Sequence, residues 1–151
     1  MFKLILFFFI FSQITLFCQF SLDQFFLISF DKSKENEIEK YYINKEFIEN
    51  EIGSYKGISF FDSLAENKIK VTFMFSSAEL VIGKAISNQN KETKDSERLF
   101  NYLNVILIKK YGKEFSENSI AGNKMLVWNQ PNSSITLSLL KNLCIFSIMK
   151  K

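Results

Sequence analysis

The stretch Ile69-Lys70-Val71-Thr72-Phe73-Met74-Phe75 constrains this chain more than any other. Apolar residues at 69, 71, 73 and 75 alternate with Lys70, Thr72 and Met74, and a period of two puts them on one side of a pleated strand. Such a strand calls for a sheet with one face on a core and the other turned away from it, which is the antiparallel habit rather than the parallel one. The flanks repeat the theme. Ile58 and Phe60 begin a strand before it, Glu66-Asn67-Lys68 reads as a turn, and Leu80, Ile82 and Ile86 suggest a strand after it. The three read as a meander.

The period then changes. Over 95–111, Leu99, Phe100, Leu103, Ile106, Leu107 and Tyr111 recur at three- and four-residue spacing and form a wide apolar stripe. Polar residues 87–96 lead into it, Thr93 or Asp95 can cap it, and Gly112 stands where a C′ glycine ends a helix. Glu97, Asn101, Asn104 and Lys109 mark the opposite, wet face. An earlier helix is expected from about 34 to 42, capped by Asp31 or Ser33, with Glu35 and Glu37 in its first turn and Ile38, Tyr41 and Tyr42 on its apolar face. Between 43 and 55 the signal is mixed: Phe47, Ile48 and Ile52 have helical spacing, and Gly53 can end a second helix. Strands return at 125–128, 135–139 and 143–149, joined by turns at 129–134, around Pro131, and at Lys141-Asn142. The expected fold is α+β, with helices packed on one face of a largely antiparallel sheet in the order α-βββ-α-βββ. The order reads as one αβββ unit used twice, although the halves share no residue-level repeat.

The chain opens with MFKLILFFFIFSQITLFCQF. Lys3 supplies a positive start, and residues 4–11 are unbroken apolar, shorter than the roughly 20 residues of a membrane span. Residues 1–18 read as a signal peptide cut after Cys18, with Leu16 at −3, which leaves 19–151 as a single domain. A cut after Ser21 is the second fit. Two rivals tie the protein to a membrane: retention of 4–20 as an anchor, or lipid on Cys18, although Phe17 stands where a lipobox has a small residue. Export to the periplasm or beyond follows from the main reading.

Composition then removes chemistries. The sequence contains no histidine, the commonest general base and zinc ligand. Without Lys3 there are 18 basic against 16 acidic residues, a near balance, and Arg98 is the single arginine. Nucleic-acid readers concentrate positive charge and favour arginine, so no nucleic-acid partner is expected. Cys144 lies among Leu143, Ile145 and Phe146 and has no histidine to activate it, so it reads as a buried strand residue. Ser-x-x-Lys occurs at Ser29–Lys32, Ser138–Lys141 and Ser147–Lys150, but in a strand residues three apart face opposite sides. Glu35, Glu37, Glu39, Glu46, Glu49 and Glu51 alternate with polar neighbours as on a solvated face. No catalytic residue, cofactor or metal ligand is expected. Trp128, the single indole, and Tyr111 are the candidates for an interaction surface, with core packing the weightier reading of the tryptophan.

Lys109-Lys110-Tyr111-Gly112-Lys113, then Trp128, then Ile135-Thr136-Leu137, resembles a pattern in small exported bacterial α+β proteins, as does Ile28-Ser29-Phe30-Asp31-Lys32-Ser33 before a helix. The element order is loosely similar to small lipoproteins of the barrel-assembly machinery and to tandem inhibitors of β-lactamase. That resemblance implies a binding module and carries over no functional residue. The expected function is a non-catalytic exported module for another protein or an envelope component. The alternatives are a small exported hydrolase using carboxylates or a Ser-Lys pair, and a membrane-tethered envelope subunit.

Overall fold

The structure, a computed structural model, describes residues 20–151. The signal-peptide reading of 1–18, lipidation at Cys18 and the anchor alternative fall outside the described residues, apart from Phe20 at the anchor's end. Two short helices, α1 (Leu22–Leu27) and α2 (Glu35–Tyr41), precede a four-stranded meander: β1 (Ile48–Ile52), β2 (Tyr55–Leu64), β3 (Asn67–Phe75) and β4 (Val81–Asn88). A long helix, α3 (Thr93–Tyr111), leads into a second meander: β5 (Ser116–Ile120), β6 (Asn123–Gln130), β7 (Ser133–Leu140) and β8 (Leu143–Lys150). All eight strands form one antiparallel sheet in the order β1-β2-β3-β4-β8-β7-β6-β5, so the two meanders join through their last strands.

The α+β class with helices on one face is what the chain adopts, but each half carries four strands rather than three. The added strands are the edges. Over 43–55 there is no second helix: Ile48, Asn50 and Ile52 alternate with Glu49 and Glu51, and Gly53, at φ +63°, opens the two-residue turn into β2. The helical spacing of Phe47, Ile48 and Ile52 loses to that hairpin. The other edge, β5, is Ser-Glu-Asn-Ser-Ile and exposed throughout, so no apolar alternation announces it. It is held by pairing with β6 across Ala121-Gly122, both at positive φ. The turn between β2 and β3 falls on Ala65-Glu66, again both at positive φ, and Asn67 begins β3. Neither expected cap is used. Glu92 is the N-cap of α3, and Lys34 that of α2, where its N–H donates to the Glu37 carboxylate at 3.0 Å.

The core lies between the helices and one face of the sheet. Phe60 of β2, Val71 and Phe73 of β3, Ile86 of β4, Phe146 of β8, Leu137 of β7 and Trp128 of β6 point into it and are buried. Phe25 of α1 meets Phe73 and Phe146, and Tyr42 after α2 meets Phe60 and Phe73. Leu99, Phe100, Leu103 and Leu107 of α3 are buried over β7 and β8, while Ile106 is only partly covered. Phe20 packs on Phe25, Tyr42 and Phe60, and Ser21 caps α1 by accepting from Gln24 N.

Candidate functional site

With every helix on one face, no helix covers the other face of the sheet among the described residues, although Gly57, Ser59, Met74 and Gly83 on it are buried. The pairing registers set one row across all eight strands: Ile48, Ser59, Thr72, Ala85, Ser147, Thr136, Val127 and Ser116. The row beside it runs Asn50, Gly57, Met74, Gly83, Met149, Ser134 and Asn129. On the other side lie Phe61, Lys70, Ser87, Ile145, Ser138, Met125 and Asn118. Lys68 and Lys70 are the charged side chains on these outward strand positions, and neither makes an ion pair among the described residues. A solvated sheet face normally carries many charges. This one carries hydroxyls, amides, glycines and apolar groups.

Asn50 Nδ2 donates to Ser59 Oγ at 2.7 Å, and Ser59 Oγ and Thr72 Oγ1 share a 2.9 Å hydrogen bond, so the polar groups are already aligned. A Cβ on Gly83 would stand 2.3 Å from Met74 Cε and 2.6 Å from Met149 Sδ, so two thioethers lie over the glycine. Of the two, Met74 is buried and Met149 is partly exposed. Phe61 is 51% exposed on the same face.

The buried side of the sheet holds the one unusual titratable group. Lys84 of β4 points into the core at 3% exposure. Its Nζ donates to the carbonyls of Phe25 and Ile28, both at 2.7 Å, and of Phe26 at 3.3 Å, and lies 5.1 Å from the Phe25 ring. These carbonyls close α1, whose end would otherwise be buried without partners. Burial, and then the charge of Lys110, push the ammonium down to about 8. In its charged form the three N–H groups are engaged by the three carbonyls. Lys84 borders a cleft of about 520 Å³ lined also by Phe26, Phe30, Tyr111, Ser133 and Lys150. The sequence did carry a trace of it: in the alternation Leu80, Ile82, Ile86, position 84 is the missing apolar residue.

The two expected surface residues part company. Trp128 is fully buried, its ring tilted against that of Phe115 with centroids 5.0 Å apart, and its Nε1 donates to the Gly112 carbonyl at 2.9 Å. It staples the end of α3 to β6, and the exposed-anchor reading is withdrawn because its inward position on β6 faces the core. Tyr111 is half-buried and lines the Lys84 cleft, where burial raises its phenol. Cys144 is buried and its thiol is pushed up to about 12 by desolvation. Ser147 lies on the open face and Lys150 on the helix side, so that Ser-x-x-Lys is split by the sheet. Ser29 and Lys32 lie in the turn after α1, and Lys141 in the turn after β7. Glu35 is taken by Lys56 at 2.9 Å. Among the described residues no group of three or more Cys, Asp or Glu could hold a metal ion, and no helix is long and apolar enough to cross a membrane.

Comparison with protein-family models, with curated proteins and with solved structures finds no match.

Proposed function

We propose that this chain is an exported, non-catalytic binding module that docks a partner protein on the open face of its sheet. The observation that carries the reading is the scarcity of charge on that face: Lys68 and Lys70 stand among hydroxyl, amide, methionine and aliphatic side chains on eight strands. The size fits. Eight strands about 4.8 Å apart and five or six residues deep cover roughly 700 Å², close to the ~800 Å² per partner of a standard interface. The charge selects the partner. Lys68 and Lys70 stand there with no carboxylate on the neighbouring outward positions, so the face fits a different protein with acidic side chains opposite the two lysines.

The export half of the reading rests on the leader, and the fold bears on the position of the cut alone. A cut after Cys18 keeps Phe20 in the core and Ser21 on α1, whereas a cut after Ser21 removes both. The test is site-specific photo-crosslinking in the producing cell, with the reactive group at Thr136 or Ser147 and, as control, at exposed Asn101 on α3. Adducts of one discrete mass from the sheet positions, absent at Asn101 and lost in Lys68→Glu/Lys70→Glu, are expected. Equal adducts from α3, or a homodimer mass, would overturn the docking surface.

A further inference from the structure

We propose that the cleft beside Lys84 binds a small monocarboxylate with an apolar or aromatic body, its carboxylate against the Lys84 ammonium and its body between Phe26, Phe30 and Tyr111. This site is on the helix side of the sheet and is independent of the docking face. A buried ammonium answered only by neutral groups is costly, and buried charges are ordinarily paired. Lys84 has no carboxylate partner among the described residues; its acceptors are three backbone carbonyls. Asp31, the carboxylate that lines the cleft, is already held by Lys150.

The cleft supplies what such a ligand needs. Its volume of about 520 Å³ lies in the range of small-molecule sites. The third hydrogen bond of Lys84, to the Phe26 carbonyl, is long at 3.3 Å, so that proton is the least engaged and can turn to a stronger acceptor. Lys110, whose Nζ lies 4.6 Å from the Phe26 ring, adds a second positive charge beyond that wall. Lys150, Lys151, Asn132 and Ser133 form the rim. The groups that face Lys84 are Lys110 and Tyr111 of α3, Asp31 after α1, and Lys150 and Lys151 at the end of β8; the lysines favour an anion. Because the ammonium titrates near 8, the affinity for a carboxylate falls as pH rises through that value.

The experiment titrates 3-phenylpropionate and its uncharged alcohol, 3-phenylpropan-1-ol, into isotope-labelled protein and follows backbone amide shifts. Expected are shifts at Phe26, Phe30, Tyr111 and Ser133 with the acid, about tenfold weaker binding of the alcohol, and weaker binding of the acid at about pH 10 than at pH 7. Lys84→Met should lose the preference for the acid. Ser133→Trp, which plugs the rim without touching Lys84, should lose binding altogether, and it decides the matter if Lys84→Met does not fold. Equal binding of acid and alcohol, binding indifferent to pH, persistence in Ser133→Trp, or no shift at millimolar acid would each overturn the proposal.

Discussion

Lys84→Met puts the energetic role of the buried ammonium to a test of sign. Methionine keeps the apolar stem and deletes three N–H donors, two in 2.7 Å hydrogen bonds and one at 3.3 Å. Each buried carbonyl left without a donor costs ~1–3 kcal/mol. The Phe26 carbonyl is only part-buried and beside the cleft, where water can reach it, so two orphans count, for ~4 kcal/mol at the middle of that range. Against this stands relief of the buried charge, from desolvation first and then from repulsion by Lys110. A shift from 10.5 to about 8 corresponds to ~3 kcal/mol at neutral pH. The variant is thus expected to lose ~1 kcal/mol, where relief of the buried charge acting alone would bring a gain of ~3 kcal/mol. Urea midpoints at constant slope, read by the buried Trp128, measure the difference. The pH dependence gives a second reading. The folded-state value of Lys84 lies below its unfolded value, so from about pH 8 to 10.5 the unfolded chain holds more protons and stability rises with pH. Cys144 acts oppositely: its folded value of about 12 lies above 9.0, so above pH 9 only the unfolded chain ionises and stability falls. Native stability should climb between pH 8 and 9 and decline above about 10.5, and the variant should lack the climb but keep the decline. A variant more stable than the native protein at pH 7 would refute the helix-closing role.

Other expectations follow from burial. Leu103→Ala on α3, fully buried, should cost about 2–5 kcal/mol, and exposed Asn101→Ala under about 0.5 kcal/mol, by denaturant midpoints; similar small effects would mean that the α3 stripe is not core. Cys144 should react with a thiol reagent slowly in the folded protein and quickly in denaturant, as its burial and raised thiol require. Intact-mass measurement of the exported form should give a chain beginning at Gln19; a start at Leu22 would contradict the retention of Phe20 in the core.

What was legible in the sequence was what periodicity writes. The α3 stripe and the alternating strands β3, β6, β7 and β8 are amphipathic, so burial on one side leaves its period in the residue types. The edge strands were not legible because their stabilisation is mostly backbone pairing to one neighbour, which any residue type can make. Ser116–Ile120 shows no period, and in β1 the helical and alternating patterns share Ile48 and Ile52. Helix α1 is six residues long and gains its place from tertiary contacts of Phe25 rather than from propensity. The open face was hidden for a different reason. Its rows run perpendicular to the chain, so Ser59, Thr72, Ser147 and Thr136 become neighbours only once the order of strands is known.

That order also explains why a lysine sits in the core. Exchanging the two meanders about the Ala85–Ser147 pair leaves the sheet unchanged and superposes Thr72 on Thr136, Phe60 on Trp128, Val71 on Ile135 and Ile86 on Ile148. At the centre of the inward face hydrophobic residues meet hydrophobic residues, Phe73 falling on Leu137, but Lys84 falls on Phe146. The helices supply the reason for the exception. The second half is roofed by one 19-residue helix, α3, whereas the first half uses α1 and α2, six and seven residues long. Splitting the roof creates an extra helix end, and the end of α1 falls over β4, away from solvent. A phenylalanine at 84 would restore the symmetry and leave the Phe25 and Ile28 carbonyls dry. Its ring would also crowd those of Phe25 and Phe30, which lie only 5.1 and 5.6 Å from the lysine nitrogen. Lys84→Phe is therefore expected to be more destabilising than Lys84→Met, although it copies the other half of the same sheet.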